Sequence, residues 1–128
     1  MTKNYSILHL DDNPIIANMV KPSFDTIPTI SYSSTYNIKQ TEERLQEKLP
    51  EILIVDLMLD NDYDPTPGIQ YIKKAHQQYP GLRMIVYTGY KETGLKKELA
   101  PYIVHYEQKG GNPVALVNKI QSLLWENE

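Results

Sequence analysis

The residues of this chain that are best suited to chemistry are carboxylates that directly follow short, largely apolar runs. Asp56 follows Ile52–Val55, and the pair Asp11 and Asp12 follows Tyr5–Leu10. A short apolar run between polar segments is typical of a strand in a parallel sheet. Because ligands bind at the carboxyl ends of the strands in such a sheet, Asp56 is a candidate nucleophile or metal ligand. Adjacent carboxylates repel each other unless a cation or a base lies nearby, so Asp11 and Asp12 are candidate partners in the same site.

A hydroxyl group and an ammonium group follow two later strand-like runs. Thr88 comes after Leu82–Tyr87, and Lys109 comes shortly after Tyr102–Tyr106. Carboxylates are hard oxygen ligands that suit Mg²⁺, which commonly binds one or two of them together with water and phosphate. Threonine and lysine can hold the oxygens of a transferring phosphoryl group. The order and placement of these groups together predict a site for a divalent cation and a phosphoryl group.

The segments between these runs must position the polar groups. Apolar residues recur at helical spacing after each strand-like run, so the chain divides into five strand–helix units. This alternation predicts an α/β fold, a doubly wound five-stranded parallel sheet with helices on both faces. We expect residues 1–128 to form a single domain. The predicted strands are Tyr5–Leu10, Thr29–Ser33, Ile52–Val55, Leu82–Tyr87 and Tyr102–Tyr106.

The first two predicted helices carry clear apolar patterns. The first begins at Pro14, and Pro22 is expected to kink it or to end it near Val20. The second is expected to stop at Pro50. The residues predicted to lie on the apolar faces of these helices are Ile15, Ile16, Met19, Val20 and Phe24 in the first, and Ile38, Leu45 and Leu49 in the second.

Two further patterns resemble metal sites but have a more ordinary explanation. His9 lies within the first strand-like run, where we expect an interior, hydrogen-bonded histidine. The loop after the third strand has alternating carboxylates, but the sixth and twelfth positions counted from the first of them are Pro65 and Tyr71, whereas an EF-hand needs Gly and Glu there. We therefore expect a mobile, solvated loop over residues 60–66. The alternating carboxylates are Asp60, Asp62 and Asp64.

The composition argues against a nucleic-acid-binding or membrane protein. The 128 residues are 41% hydrophobic and carry a formal net charge of −3. No basic stripe stands out, so direct binding to nucleic acid is not expected. The chain shows neither a signal-peptide stretch nor a run long enough to span a membrane, and the lack of cysteine suits a reducing compartment. We predict a soluble cytoplasmic domain.

Over nearly its whole length, the chain resembles the receiver domain of response regulators in two-component signalling. That family has an acidic pair after the first strand, a phosphoacceptor Asp after the third, Thr or Ser after the fourth, and Lys after the fifth. A small residue usually follows the Thr, and an aromatic residue commonly lies three residues before the Lys, as Gly89 and Tyr106 do here. The resemblance implies the flavodoxin-like strand order 2-1-3-4-5. The residues that match the main pattern are Asp11, Asp12, Asp56, Thr88 and Lys109.

The resemblance also implies a chemistry for these residues. Asp56 would accept a phosphoryl group from the phosphohistidine of a sensor histidine kinase or phosphotransfer protein. Mg²⁺ would be bound by Asp12, Asp56 and the main-chain carbonyl of Met58, with Asp11 acting through water. Metal binding would then depend on Asp12 more than on Asp11.

A signalling output is implied by the same resemblance. Thr88 and Tyr106 would form a switch that reports phosphorylation to the surface made by the fourth helix, the fifth strand and the fifth helix. That surface would contact a downstream protein effector, and phosphorylation would favour a homodimer.

The sequence departs from the family pattern in three places. The loop after the phosphoacceptor is several residues longer than usual and has Asp60 where Pro is common, and Glu107 stands where an apolar residue is usual. Gly110 replaces the Pro that usually follows the Lys through a cis bond. A cis bond before a residue other than proline costs about 2.5–4 kcal/mol, and glycine reaches backbone angles that are closed to other residues. We therefore predict a trans Lys109–Gly110 bond, with Gly110 and Gly111 redirecting the chain.

Two other functions compete with the phosphoacceptor hypothesis. A haloacid-dehalogenase-like phosphatase also uses an Asp nucleophile, but it needs a second Asp two residues later as a general acid, and Met58 cannot transfer a proton. A pseudo-receiver would act as an interaction module without phosphorylation, although such members usually lose an acidic residue or the Lys. We predict a protein that is not an enzyme on a separate substrate and that catalyses only its own phosphorylation and dephosphorylation.

Overall fold

Five strands alternate with five helices in the part of the chain that the computed structural model describes, which is residues 3–59, 64–91 and 93–126. The strands are β1 (Tyr5–Leu10), β2 (Ile30–Thr35), β3 (Ile52–Val55), β4 (Arg83–Thr88) and β5 (His105–Gln108). The helices are α1 (Pro14–Asp25), α2 (Ile38–Glu47), α3 (Thr66–Gln78), α4 (Thr93–Leu99) and α5 (Val114–Trp125). No helix in these ranges combines the length and the apolar character needed to cross a bilayer.

The strands form one parallel sheet in the order β2-β1-β3-β4-β5. Near their carboxyl ends, Leu10 pairs with Thr35 on one side and Val55 on the other, and Val55 pairs in turn with Val86. The residues that follow these strands therefore meet at one edge of the sheet. This topology confirms the predicted fold class and the strand order 2-1-3-4-5.

Helices cover both faces of the sheet, as predicted. The helices α1 and α5 pack on one face in a cluster that includes Phe24 and Ile120, and the other three pack on the opposite face in a cluster that includes Leu45 and Ile72. The central strand β3 is fully buried along its whole length. Because complete burial of an aliphatic side chain contributes roughly 1.5–3 kcal/mol, β3 is firmly held. Asp56 consequently leaves the sheet from its most deeply buried strand.

The sequence predicts at Pro22 either a kink or an end of the helix near Val20. Helix α1 continues through Pro22 to Asp25, so the predicted end is wrong. A proline inside a helix removes one backbone hydrogen bond and crowds the preceding turn. Here Phe24, which lies beyond the proline, is fully buried and its ring stacks on Tyr32 at a centroid distance of 5.1 Å. This packing holds the last turn of α1 in place.

The buried side of α1 is narrower than its apolar pattern predicts. Its buried residues are Ala17, Val20 and Phe24. Ile15 and Met19 are 62% and 45% exposed, so the expectation that they face the sheet is wrong. With 3.6 residues per turn, the line through the three buried positions places these two residues on the opposite side of the helix.

Two other elements end differently from the prediction. Helix α2 stops at Glu47, which leaves Leu49 outside it and largely exposed rather than packed on the sheet. The fifth strand starts at His105 instead of Tyr102, because the backbone of Tyr102 is still bonded to Leu99 at the end of α4 over 2.8 Å. The second strand likewise lies slightly later in the chain, at Ile30–Thr35.

Helix α3 begins in close contact with the backbone that leaves β3. The Gly68 amide donates to the Leu57 carbonyl over 3.1 Å, which satisfies one of the N–H groups of the first helical turn. A Cβ atom at position 68 would lie 2.3 Å from the Leu57 Cα and 2.4 Å from its carbonyl oxygen. Only glycine fits this position, and Leu57 is the residue directly after Asp56.

Candidate functional site

Two buried carboxylates lie at the carboxyl edge of the sheet. Asp11 and Asp56 are 2% and 4% exposed. Their backbones continue the sheet hydrogen bonding, since the Asp11 amide donates to Thr35 over 3.1 Å and the Asp56 amide donates to Leu10 over 3.0 Å. Both side chains are therefore carried on fixed backbone, as a preorganised site requires.

The ammonium group of Lys109 lies between these two carboxylates. Its Nζ donates to Asp11 Oδ2 over 2.7 Å and to Asp56 Oδ2 over 3.0 Å. The Lys109 backbone amide also donates to the Thr88 carbonyl over 2.8 Å, which extends the pairing of β4 with β5. One cation thus compensates two buried anions, and an unpaired buried charge would be far more costly.

The second oxygen of Asp56 is bonded to two neighbours. The Thr88 hydroxyl donates to Asp56 Oδ1 over 2.8 Å, and the Met58 amide donates to the same oxygen over 3.2 Å. The second oxygen of Asp11 accepts from the Asn13 amide over 3.0 Å. The structure thus brings together Asp56, Thr88, Lys109 and Asp11, and it places the backbone of Met58 at their side.

Asp12 completes an acidic cluster with the two buried carboxylates. Asp11, Asp12 and Asp56 each offer an oxygen, and these oxygens all lie within 4.8 Å of one another. Asp12 is the more exposed member, at the open side of the cluster. Three converging carboxylates provide the hard oxygen donors that Mg²⁺ prefers, and their open side leaves room for the waters that this ion retains. The donor set therefore fits a magnesium ion.

The proposed switch residues are connected through a residue that the sequence did not single out. The Tyr90 amide donates to the Thr88 hydroxyl oxygen over 3.3 Å, and the Tyr106 hydroxyl donates to the Tyr90 carbonyl over 3.5 Å. Tyr106 therefore reaches Thr88 through the Tyr90 backbone. The signal that could have revealed Tyr90 is its position two residues after the strand-end hydroxyl.

Comparison with known proteins identifies the fold. No protein-family model matches the chain. The RcsB response regulator of Salmonella typhimurium aligns over 95% of this chain and 62% of its own, with a TM-score of 0.81 and 25% identity. The signal receiver domain of a putative LuxO repressor protein from Vibrio parahaemolyticus aligns over 96% and 92%, with a TM-score of 0.83 and 16% identity. This chain has the fold of a response-regulator receiver domain.

A further receiver structure bears on the chemistry of the family. The isolated receiver domain of RcsB from Salmonella enterica serovar Typhimurium, solved in the presence of the phosphomimetic BeF₃⁻, aligns over 95% of this chain and 89% of its own, with a TM-score of 0.81 and 23% identity. This chain spans 62% of the length of the RcsB response-regulator chain named above, which is less than two thirds of it. The receiver resemblance drawn from the sequence is confirmed at the level of fold.

The turn after Lys109 has the geometry that its glycines predict. No cis peptide bond occurs in the described residues, so the Lys109–Gly110 bond is trans and that prediction is confirmed. Gly111 has a φ of 87°, a backbone angle that residues with a side chain rarely adopt. The chain therefore directs Lys109 to its carboxylates without the proline. Glu107, the other unusual residue in this region, contacts His105 within β5: its Oε1 lies 2.8 Å from the His105 Nε2.

His9 is buried in β1, behind the acidic cluster. Its Nδ1 lies 2.6 Å from the Tyr32 hydroxyl, which confirms the prediction of an interior, hydrogen-bonded histidine. Burial, and secondarily the charge of Lys109, lowers the pKa of His9 to about 3. His9 is therefore neutral at physiological pH. Alternate residues of a strand point to the same face, so the spacing of His9 and Asp11 is the signal by which the sequence could have revealed them as neighbours.

The loop after β3 is described only in part. Asp60 and Asp62, and with them most of the predicted mobile segment, lie outside the described residues. Asp64 is exposed and accepts from the Thr66 amide over 2.9 Å, at the start of α3. This contact is an ordinary turn at a helix start.

Crowding of negative charge in the site should make the stability of the protein depend on Asp11. Burial, followed by the charge of Asp56, raises the pKa of Asp11 from 3.8 to about 6, against the opposing effect of Lys109. Burial acts to lower the pKa of Lys109, but the charges of Asp56 and Asp11 outweigh it and raise that pKa. At neutral pH the ionised Asp11 therefore opposes folding.

Asp11→Asn should consequently stabilise the protein at pH 7, in the absence of metal, by about 1–3 kcal/mol. A raised carboxyl pKa means that the folded state holds the proton more tightly, so its contribution to stability falls as the pH rises from about 4 to about 6. The gain of the variant should vanish near pH 4 and reach its maximum above pH 6. Urea unfolding across this range, with EDTA, measures it; Asp25→Asn, at an exposed carboxylate, is the control. An equal gain at every pH would contradict the assignment.

Proposed function

We propose that this receiver is a phosphoacceptor of a two-component relay, in which Asp56 takes a phosphoryl group from a phosphohistidine. The observation that carries the proposal is the pairing of Lys109 with Asp56 Oδ2 over 3.0 Å, while Thr88 holds Asp56 Oδ1 over 2.8 Å. A single carboxylate is thus flanked by the two donors that a phosphoryl group would need. The phosphohistidine would belong to a sensor histidine kinase or a phosphotransfer protein.

In the transfer step, an Asp56 oxygen forms the new O–P bond while the N–P bond of the phosphohistidine breaks. The electron pair of that bond stays on the imidazole nitrogen. Because the other ring nitrogen of the phosphohistidine carries a proton, the donor histidine leaves in its neutral form. Mg²⁺, bound by Asp12, Asp56 and the Met58 carbonyl with Asp11 acting through water, would neutralise charge on the phosphoryl oxygens. Lys109 and Thr88 then exchange their bonds to Asp56 for bonds to those oxygens.

The same exchange gives the site an output. When the Thr88 hydroxyl turns from Asp56 to a phosphoryl oxygen, it disturbs its bond from the Tyr90 amide. Tyr90 in turn carries the carbonyl that Tyr106 holds. The signal would therefore pass to the surface of α4, β5 and α5, where a protein effector or a second copy of the chain would bind. We also infer a cytoplasmic location, where kinase and effector would be available.

A pseudo-receiver remains the competing function, and it is distinguished by phosphoryl chemistry. A phosphatase is disfavoured because the residue two positions after Asp56 is Met58, whose amide bonds Asp56 but whose side chain cannot transfer a proton. We propose that the chain acts only on its own phosphoryl group and is not an enzyme on a separate substrate.

Titration with BeF₃⁻, a mimic of the phosphoryl group, tests the proposal. With Mg²⁺ present, the chemical shifts of Thr88, Tyr106 and Lys109 should change on BeF₃⁻ addition, and EDTA should reverse the change. Acetyl phosphate with Mg²⁺ should add the mass of one phosphoryl group. Failure of both reagents would identify an interaction module that acts without phosphorylation.

Metal binding should distinguish Asp12 from Asp11. Both oxygens of Asp11 are already engaged, by Lys109 and by the Asn13 amide, whereas Asp12 lies at the open side of the cluster. Asp12→Asn should therefore weaken Mg²⁺ binding by about 10–100-fold, the loss that removal of important groups causes at metal sites. Asp11→Asn should weaken it by less. Calorimetric titration of Mg²⁺ provides the measurement. Near-normal affinity in Asp12→Asn would refute this order.

A further inference from the structure

His9 occupies a closed compartment between the sheet and α1, directly behind the acidic cluster. Its side chain is fully buried. The ring lies between two tyrosines, with centroid distances of 5.8 Å to Tyr32 and 6.1 Å to Tyr87. Tyr87 in turn has a charged neighbour, because Lys109 Nζ lies 5.8 Å from the centroid of its ring. An apolar core position would not need this set of polar neighbours.

One nitrogen of His9 has no hydrogen-bond partner among the described residues. Nε2 is buried and unpaired, and it faces Asp11 Oδ2 at 4.0 Å. This distance is too long for a hydrogen bond, which requires about 2.7–3.2 Å. A buried polar group without a partner is costly, so such a group calls for an explanation, such as a bond made in another state of the protein.

The surroundings of His9 determine which tautomer of the imidazole is favoured. The Tyr32 hydroxyl lies 2.6 Å from Nδ1 and can donate to it when the ring proton is on Nε2. An Nε2–H group then points at the Asp11 carboxylate, and this is a favourable charge–dipole contact. The opposite tautomer would direct a lone pair at the same negative charge. The geometry therefore selects the Nε2–H tautomer.

Asp11 loses a partner when the proposed phosphoryl transfer takes place. In the resting site, Asp11 Oδ2 accepts from Lys109 over 2.7 Å. Once Lys109 turns to the phosphoryl group, that oxygen remains buried without its principal donor. His9 Nε2 is already next to it and needs to approach by only about 1 Å to form a hydrogen bond.

We propose that His9 is a positioning residue that donates from Nε2 to Asp11 Oδ2 in the phosphoryl-bound state and so takes over from Lys109. The inference rests on the proposed phosphoacceptor function. It assigns His9 no contact with the phosphoryl group or the metal. The contribution of His9 to ligand binding should therefore be small while Lys109 is bonded to Asp11, and large once Lys109 has turned to the phosphoryl group.

The first test reads the tautomer in the full chain without metal. The two nitrogens of a neutral imidazole give well-separated ¹⁵N resonances according to which one carries hydrogen, so ¹⁵N NMR identifies the proton on Nε2. We expect Nε2 to be protonated, and its resonance to shift on addition of Mg²⁺ with BeF₃⁻. Hydrogen on Nδ1 instead would overturn the inference, whether or not the chain binds BeF₃⁻.

The second test separates the two states by affinity. His9→Leu should weaken Mg²⁺-dependent BeF₃⁻ binding by about tenfold, the equivalent of one hydrogen bond to a charged group, while Mg²⁺ alone binds within about threefold of normal. His9→Gln, which restores an amide N–H near the Nε2 position, should recover most of the loss. Tyr32→Phe should cause a smaller loss, and Tyr71→Phe, which removes a buried hydroxyl on the opposite face, should cause none.

The outcomes distinguish the inference from the function on which it rests. If the unmodified chain fails to bind BeF₃⁻, the phosphoacceptor function fails and the inference fails with it. If the unmodified chain binds and His9→Leu weakens both ligands equally, only the role of His9 is overturned. Unchanged BeF₃⁻ affinity in a folded His9→Leu protein would overturn it as well, and thermal unfolding of each variant verifies the fold.

Discussion

Asp56→Asn should abolish the addition of a phosphoryl group to the chain by acetyl phosphate and Mg²⁺. The carboxylate oxygen is the nucleophile of the proposed reaction, and an amide lacks both the charge and the nucleophilicity to replace it. The substitution keeps the size of the side chain and one oxygen that can accept from Lys109, so the fold should persist. Intact mass after incubation gives the measurement, with a loss expected to exceed a hundredfold.

The matched control for this experiment is Asp64→Asn. Asp64 is an exposed carboxylate whose bond to the Thr66 amide has an ordinary structural role, so its variant should be phosphorylated at the normal rate. An adduct that persists at full yield in Asp56→Asn would show that another residue accepts the phosphoryl group. The assignment of Asp56 would then be wrong, even if the receiver fold is right.

Gly68→Ala should destabilise the protein by about 3 kcal/mol or more, a large part of the roughly 5–15 kcal/mol that a domain of this size possesses. The added methyl would lie 2.3 Å from the Leu57 Cα, and its neighbours are backbone atoms that cannot rotate away. Either α3 must move outward or the chain after Asp56 must shift. The variant should therefore also bind BeF₃⁻ more weakly than its remaining folded fraction would account for.

Gly81→Ala provides the comparison for this effect, because no heavy atom lies within 4 Å of a Cβ built at that position. Its free energy of unfolding should stay within about 1 kcal/mol of normal. Urea unfolding measures both variants under the same conditions. Equal stability of the two variants would mean that α3 can rearrange at little cost. This result would contradict the conclusion that only glycine fits at position 68.

The sequence predicts the fold well because its strongest signals are physical constraints on the sheet. The run Ile52–Val55 is buried on both faces, and Tyr5–Leu10 forms a strand with the predicted ends. Parallel pairing then brings their following residues to one edge. The cluster of Asp11 with Asp56 and Lys109 follows from this topology, since each of these residues comes directly or closely after a strand.

The errors arise where tertiary packing outweighs a local pattern. The periodicity of α1 included Ile15 and Met19, but only the positions closest to the sheet become buried. Pro22 suggested a helix end, but burial of Phe24 sustains the helix. The late start of β5 depends on how α4 ends, and this was not apparent from the strand-like run alone.

The hydrogen bonds within the site were harder to predict from the sequence than the residues that form it. The link through Tyr90 depends on backbone hydrogen bonds that no residue type announces. The orientation of His9 toward Asp11 is implied by strand alternation, but its distance of 4.0 Å and its lack of a partner at Nε2 emerge only from packing. Sequence patterns therefore predict which groups share the site, and the structure adds the bonds between them.

The contact between Leu57 and Gly68 has a consequence for the length of the loop that it closes. The 3.1 Å bond from the Gly68 amide to the Leu57 carbonyl joins the chain at these two positions. The entropy of closing a flexible loop rises only slowly with length, by about 0.6 kcal/mol for each doubling. Additional residues can therefore be inserted after Leu59 and before Asp64 with little effect on the placement of Asp56. The junction makes this segment a suitable place to attach a label or a short peptide while the phosphoacceptor stays where the sheet puts it.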